Sequence, residues 1–163
     1  MFNVGDKVVY GVNGVMTVEE IKHSPLKDDT RKYYYLKPVH KTDSCSVLTP
    51  VGNEKVVMRA LITSDEARAL MGSVPHTRAL SVDSEKNRRD IYHEEVAKCD
   101  PYVWMSVIRT VRERRKKLAS LKRKPTEADI EYEAIAKKCL FTELSVVLGI
   151  SREEIEESVL SQM

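Results

Sequence analysis

Four histidines and three cysteines are the residues best suited to acid–base, nucleophilic or metal chemistry in this chain. His23, His40, His76 and His93 form no HxxxH or HExxH pair, and His93-Glu94-Glu95 lacks the second histidine that a zinc helix places four residues on. Cys45, Cys99 and Cys139 are odd in number and widely spaced, with no CxxC pair and no disulfide framework. Cys45 lies in a strand-like run and the other two in helical ones, where a free cysteine most often serves as a small buried hydrophobe. No P-loop, GxGxxG or GxSxG is present. A cysteine nucleophile at Cys45 or Cys99 would require thiol-dependent turnover. The residues point instead to a non-enzymatic protein with no cofactor and no metal.

Charge gives a stronger signal than any catalytic pattern. The formal net charge over 163 residues is only +2. Residues 109–124 (RTVRERRKKLASLKRK) nevertheless hold nine Lys or Arg and one acid, a net of +8, while residues 127–163 hold nine acids and three bases, a net of −6. A dense basic helix is the electrostatic footprint of a phosphate contact. The alternative is a solvated face paired with the acidic helices beside it. Arg88-Arg89 adds a second basic pair on the preceding helix.

These residues need elements to position them, and the composition changes near residue 60. Four of six glycines and four of seven tyrosines precede it. Lys7 to Tyr10 reads as a strand, Asn13-Gly14 as a two-residue hairpin turn, and Val15 to Ile21 as the returning strand. A polar loop over 22–30 leads to strands over Arg31 to Val39 and Cys45 to Thr49. Four or five short strands suit a small SH3-like or Tudor-like barrel. Helices follow: 65–71, capped by Ser64 and stopped by Gly72; one capped by Ser84 and running to Cys99; one started by Asp100-Pro101 and ended by Pro125; one opened by a Thr126…Asp129 capping box and stopped by Gly149; and a last one opened by a Ser151…Glu154 box. The expected fold is α+β: a β-barrel over 1–58, then four to five helices over 59–163.

Residues 144–160 read like a helix-turn-helix, which would suit a free-standing DNA-binding repressor of one operator. A groove-reading helix sits among phosphates, however, and this one carries Glu153, Glu154, Glu156 and Glu157, so a plain helical hairpin is the better reading. Trp104, the sole tryptophan, is assigned to core packing. Tyr33, Tyr34 and Tyr35 suggest an adaptor surface for protein or RNA, although strand alternation allows at most two of them on one side. No apolar run approaches the roughly 18 residues that span a bilayer, and the first residues lack a charged-then-apolar leader, so a cytoplasmic protein is expected.

Phe2-x-Val4-Gly5-Asp6-x-Val8-Val9-Tyr10, then Gly14-Val15, Val18 and Ile21, resembles the opening of the CarD/CdnL family of bacterial transcription regulators. The RNA polymerase-interacting module of the transcription-repair coupling factor is similar. The likeness continues through Tyr33-x-x-Leu36-Lys37 and Val47-x-x-Pro50-x-x-Asn53, and is looser afterwards.

The resemblance implies a barrel that docks on the polymerase β subunit by strand addition, through Tyr33, Tyr35, Lys37, Pro38, Val47, Leu48 and Pro50. It implies helices that contact promoter DNA at the upstream edge of the bubble, with little sequence preference, and so modulate open-complex stability. The DNA candidates are Lys86, Arg88, Arg89, Arg109, Arg112, Arg115 and Lys116. It also implies a nucleoid-associated monomer, with a strand-swapped dimer as the alternative. Lys86 stands where many members carry a wedging tryptophan, and a lysine cannot stack as an indole does. Barrel arginines that pair with polymerase acids in some members are replaced by Ser24 and Leu48, which would shift that role to Arg31 or Lys32.

Overall fold

The computed structural model describes every residue except Ser44 and divides the chain into two compact units, Met1–Leu61 and Ile62–Met163. The architecture is α+β, a five-stranded antiparallel sheet followed by five helices.

In the first unit, β1 (Lys7–Tyr10), β2 (Val15–His23), β3 (Lys32–Pro38), β4 (Val47–Pro50) and β5 (Met58–Ala60) lie in the order β4-β3-β2-β1-β5. Alternation sends Val8, Tyr10, Met16, Val18, Tyr34 and Leu36 to one face, where they form a core. Val47 of β4 and Met58 of β5 pack on that same core, so the sheet curls around it. Among the described residues the two outer strands do not pair with each other.

The β1–β2 connection corrects the expected two-residue turn. It is a 3₁₀ turn over Gly11–Asn13, closed by the Tyr10 N–H donating to the Gly14 carbonyl at 2.9 Å. Gly11 adopts φ +49°, and a Cβ there would meet Val56 Cγ1 at 2.7 Å. The close approach of the 53–57 segment, not hairpin twist alone, therefore decides the turn. A bulge between Val18 and Glu20 lets β2 continue past its expected end.

The second unit contains α1 (Ser64–Ser73), α2 (Arg88–Ala97), α3 (Pro101–Ser120), α4 (Glu127–Leu148) and α5 (Arg152–Ser161). The N-cap of α1 is Thr63 rather than Ser64, in a reciprocal capping box with Glu66. Gly72 lies inside α1, which tightens into a 3₁₀ turn over Val74–His76 containing Pro75. Ser84 precedes a 3₁₀ turn over Glu85–Asn87 and makes no side-chain cap. Asp100 caps α3 through the Tyr102 N–H at 2.8 Å, and the box between Thr126 and Asp129 opens α4. Helix α3 ends before Pro125, at a turn where Lys122 takes φ +55°. Ser151 caps α5 through the Glu154 N–H, one half of the expected box.

Trp104, Val107, Ile108 and Val111 of α3 pack inward, fully buried, as do Leu140 and Leu144 of α4. The Trp104 indole N–H donates to the Val96 carbonyl at 3.1 Å, so the tryptophan serves the core as expected. Cys99 and Cys139 are buried, Cys45 is exposed, and all three are free thiols. No helix among the described residues is long and apolar enough to cross a membrane.

Candidate functional site

Two surfaces gather the residues singled out above, one on each unit. On the first, β3 is an inner strand, hydrogen-bonded to β2 along its length and to β4 from Tyr33 to Leu36. Its backbone is therefore not an open edge over those residues. Beyond β3 the free edge belongs to β4; β5 forms the other edge of the sheet.

Register fixes which groups of β4 face outward. Val51 N–H donates to the Lys32 carbonyl at 2.9 Å, and antiparallel alternation then turns Thr49 and Val47 toward β3. Leu48 consequently presents both its N–H and its carbonyl outward, and its side chain is 44% exposed. Pro50 closes the edge, since it has no N–H to offer.

The face of the sheet opposite the core carries Tyr33, Tyr35 and Lys37. Tyr33 donates its hydroxyl to Asp29 at 2.8 Å, beneath the Arg31 guanidinium. Arg31 chelates Asp29 through Nε and Nη2, which holds that carboxyl well below its usual range and leaves Arg31 committed within its own loop. Tyr35 lies between Lys22 and Lys37, whose ammonium groups sit 4.8 and 5.8 Å from its ring centre. Pro38 ends β3 beside a groove of about 770 Å³.

On the second unit, four of the seven DNA candidates are held by carboxylates, two of them on α4. Arg88 is bound by Glu85 and the Tyr92 hydroxyl, Arg89 by Glu131, Arg109 by Glu113 at 2.7 Å, and Arg115 by Glu133. Arg112 donates Nη2 to the Leu160 carbonyl, while its buried Nε has no hydrogen-bond partner. Within the basic run, the acidic tail pairs with Arg114 and Arg115.

Arg114, which the sequence did not single out, is the hub of this arrangement. Its Nε donates to Asp129 at 2.9 Å, and its two terminal nitrogens donate to Glu85 at 2.8 and 2.7 Å. Asp129 is fully buried and also accepts from the Thr126 N–H, the Thr126 hydroxyl and the Tyr92 hydroxyl, each at 2.9 Å. Burial opposes its ionisation, but these donors together outweigh burial and hold its carboxyl below the usual range. Burial pushes Tyr92 up to about 12. The network ties the turn at residue 85 to α2, α3 and the start of α4.

The remaining cations have no such partner, and three of them share a cleft with Glu85 and Arg114. Among the described residues, no carboxylate lies within ion-pair distance of Lys86, Lys116, Lys117, Lys122, Arg123 or Lys124. Lys117, Arg123 and Lys124 line one cleft of about 430 Å³ at the end of α3, beside Leu121, which is 58% exposed. Sequence reasoning named Lys86 and Lys116 from this set; the other four were legible only as part of a charge run. Helices α4 and α5 form a hairpin joined by Arg152 to Thr142 and Lys137 to Glu156, with Glu153, Glu154 and Glu157 exposed. No group of three or more potential metal ligands occurs among the described residues.

The first unit is thus a small β module whose outermost strand is open for pairing, the build of a docking domain. Residues 2–62 match the family model of the CarD-like/TRCF RID domain. The match covers the first unit, which is similar to RNA polymerase-interacting domains of this kind, and leaves the helices unmatched. No curated protein matches the chain significantly.

Proposed function

We propose that this protein is a non-enzymatic regulator of transcription initiation. It docks on the RNA polymerase β subunit by adding a strand to β4, and it contacts promoter DNA through the second unit to modulate open-complex stability. The observation that carries the reading is the free edge of β4 inside the matched polymerase-interacting domain. Strand addition draws affinity from main-chain hydrogen bonds and specificity from alternate side chains, here Leu48 and its neighbours.

DNA contact falls to the cations that no carboxylate holds: Lys86, Lys116, Lys117, Lys122, Arg123 and Lys124. They serve as phosphate contacts with little sequence preference. Arg88 acts as a positioning residue, fixing the turn that carries Lys86. The exposed carboxylates of α5 disfavour operator reading by the terminal hairpin.

Capture of polymerase core by the full-length chain tests the first half, and failure to capture the β subunit defeats it. For the second half, reversing Lys116, Lys117, Lys122, Arg123 and Lys124 to Glu is expected to shorten open-complex lifetime while polymerase binding persists. Each lost phosphate contact lowers the salt slope of DNA binding by about one. Reversing Arg89 and Arg115 instead should lower thermal stability and leave the slope nearly unchanged. The opposite pattern would return the contact to those arginines.

A further inference from the structure

We propose that a pocket at the Pro50 end of the β module binds a small neutral molecule that presents a carbonyl oxygen on a ring-sized apolar body. The proposal stands apart from the polymerase and DNA contacts above and rests on different residues.

The pocket holds about 300 Å³. Phe2, Tyr10, Tyr34, Val51 and Met58 supply its apolar wall, with the Phe2 and Tyr34 rings edge to face at 6.4 Å between centres. A cavity of about 150 Å³ with such a wall already takes a benzene, so this one has room for a ring and a polar substituent. No acidic or basic side chain among the described residues lines it. An ion would enter without a counter-charge, which disfavours charged ligands.

The polar groups on the wall are hydroxyls with hydrogens to spare. Tyr34 is 3% exposed, and its oxygen accepts the Phe2 N–H at 3.0 Å. Its own hydrogen has no acceptor among the described residues. The Tyr10 and Thr49 hydroxyls, equally buried, lie 3.1 Å apart. Only one of their two hydrogens can lie between them. The other oxygen lone pair of Thr49 is taken by the Asn53 side-chain amide at 3.0 Å. That amide cannot be turned to accept instead, because its carbonyl oxygen receives the Lys55 N–H at 3.0 Å. One hydrogen of the Tyr10–Thr49 pair is therefore also left over.

Two buried donors without acceptors define the ligand. A carbonyl oxygen offers two lone pairs and brings no hydrogen of its own, whereas a ligand hydroxyl or ammonium would add donors to a wall already in surplus. The aromatic faces alone would suit a cation, and the spare hydroxyl hydrogens argue against one. Thr49 and Pro50 end β4, so a molecule held here touches that strand from inside the module.

The test titrates the nitrogen-15-labelled full-length chain with three probes that share a phenyl ring: acetophenone, ethylbenzene and phenyltrimethylammonium. Acetophenone is expected to shift the amides of Tyr10, Val51, Gly52 and Asn53 and to bind roughly tenfold more tightly than ethylbenzene. Tyr34→Phe should remove most of that preference while ethylbenzene binds as before. If Tyr34→Phe does not fold, Val51→Phe serves instead. It keeps every hydroxyl, fills the pocket with its own ring and should abolish the acetophenone shifts. Ethylbenzene binding as tightly as acetophenone would show an apolar hole in which the hydroxyls play no part, and would overturn the proposal. So would tighter binding of phenyltrimethylammonium, which would make the pocket a cation site. Absence of shifts at these residues with every probe, up to its solubility limit, would leave water as the occupant and overturn it too.

Discussion

Replacing Leu48 with proline is expected to cut capture of RNA polymerase by the full-length chain at least tenfold, about 1.4 kcal/mol or more, while the first unit stays folded. The selectivity follows from the hydrogen-bond pattern. Thr49 and Val47 face β3, whereas the Leu48 N–H points away from the sheet. Proline at residue 48 thus removes no ladder bond of its own unit, and edge strands tolerate it. It does delete the donor that an incoming strand would use, and it sets the pyrrolidine ring against that strand. Circular dichroism matching the parent, together with lost capture in a pull-down, is the expected pair of results. Thr49→Pro is the contrasting control, because it breaks a ladder bond and displaces the hydroxyl that the Tyr10 and Asn53 side chains share. Unimpaired capture by a folded Leu48→Pro protein would remove β4 as the docking edge.

The second large effect is on stability. Asp129→Ala deletes a buried carboxylate that accepts four hydrogen bonds, leaving Arg114 Nε and the Tyr92 hydroxyl without this acceptor and the capping box of α4 without its reciprocal half. Breaking a buried pair from one side costs about 3–5 kcal/mol. For a unit of this size, at roughly 4–8 °C per kcal/mol, the melting midpoint should drop by about 12 °C or more. Trp104, the sole tryptophan and fully buried in α3, reports that transition by fluorescence. Asp129→Asn, which keeps the shape and one acceptor oxygen, should lose less.

The same network sets the acid limb of stability. Bonding from Arg88 and Arg114 lowers Glu85, and Asp129 is lowered despite its burial. A carboxyl depressed in the folded state contributes stability above its unfolded value and surrenders it as pH falls through the folded one. Melting temperature should therefore begin to drop below about pH 4. Asp129→Asn, with Glu85→Gln, should flatten that limb; an unchanged acid profile would show that the network does not control it.

Strands β1 to β4, the two-part layout and three of the five helix starts were legible because local rules govern them. Asp100-Pro101 and the Thr126–Asp129 box act within a single turn, and β1 to β4 show period-two alternation. The errors arose where distant contacts decide. The Gly11 turn depends on Val56, more than forty positions away. The edge of β4 could not be separated from β3 before pairing was known, because both segments carry similar alternating side chains. The basic run shows the sharpest limit. Its composition marks nine cations, but which of them are neutralised depends on where Glu85, Asp129 and Glu133 fall once the helices pack. Arg109, held by Glu113 four residues on, was the one pairing open to a helical-spacing argument. Arg114 carries no such local sign.

The brevity of β4 has a further consequence, for self-association. An exposed strand is where β proteins template one another into stacks, and long flat edges do so most readily. This edge spans four residues, ends in Pro50 and turns a single complete N–H and carbonyl pair outward. Two copies meeting edge to edge would gain too few bonds to hold together, whereas a partner that also fills side-chain positions along the strand gains enough. The strand can therefore remain open in the free protein without becoming the seed of a fibre.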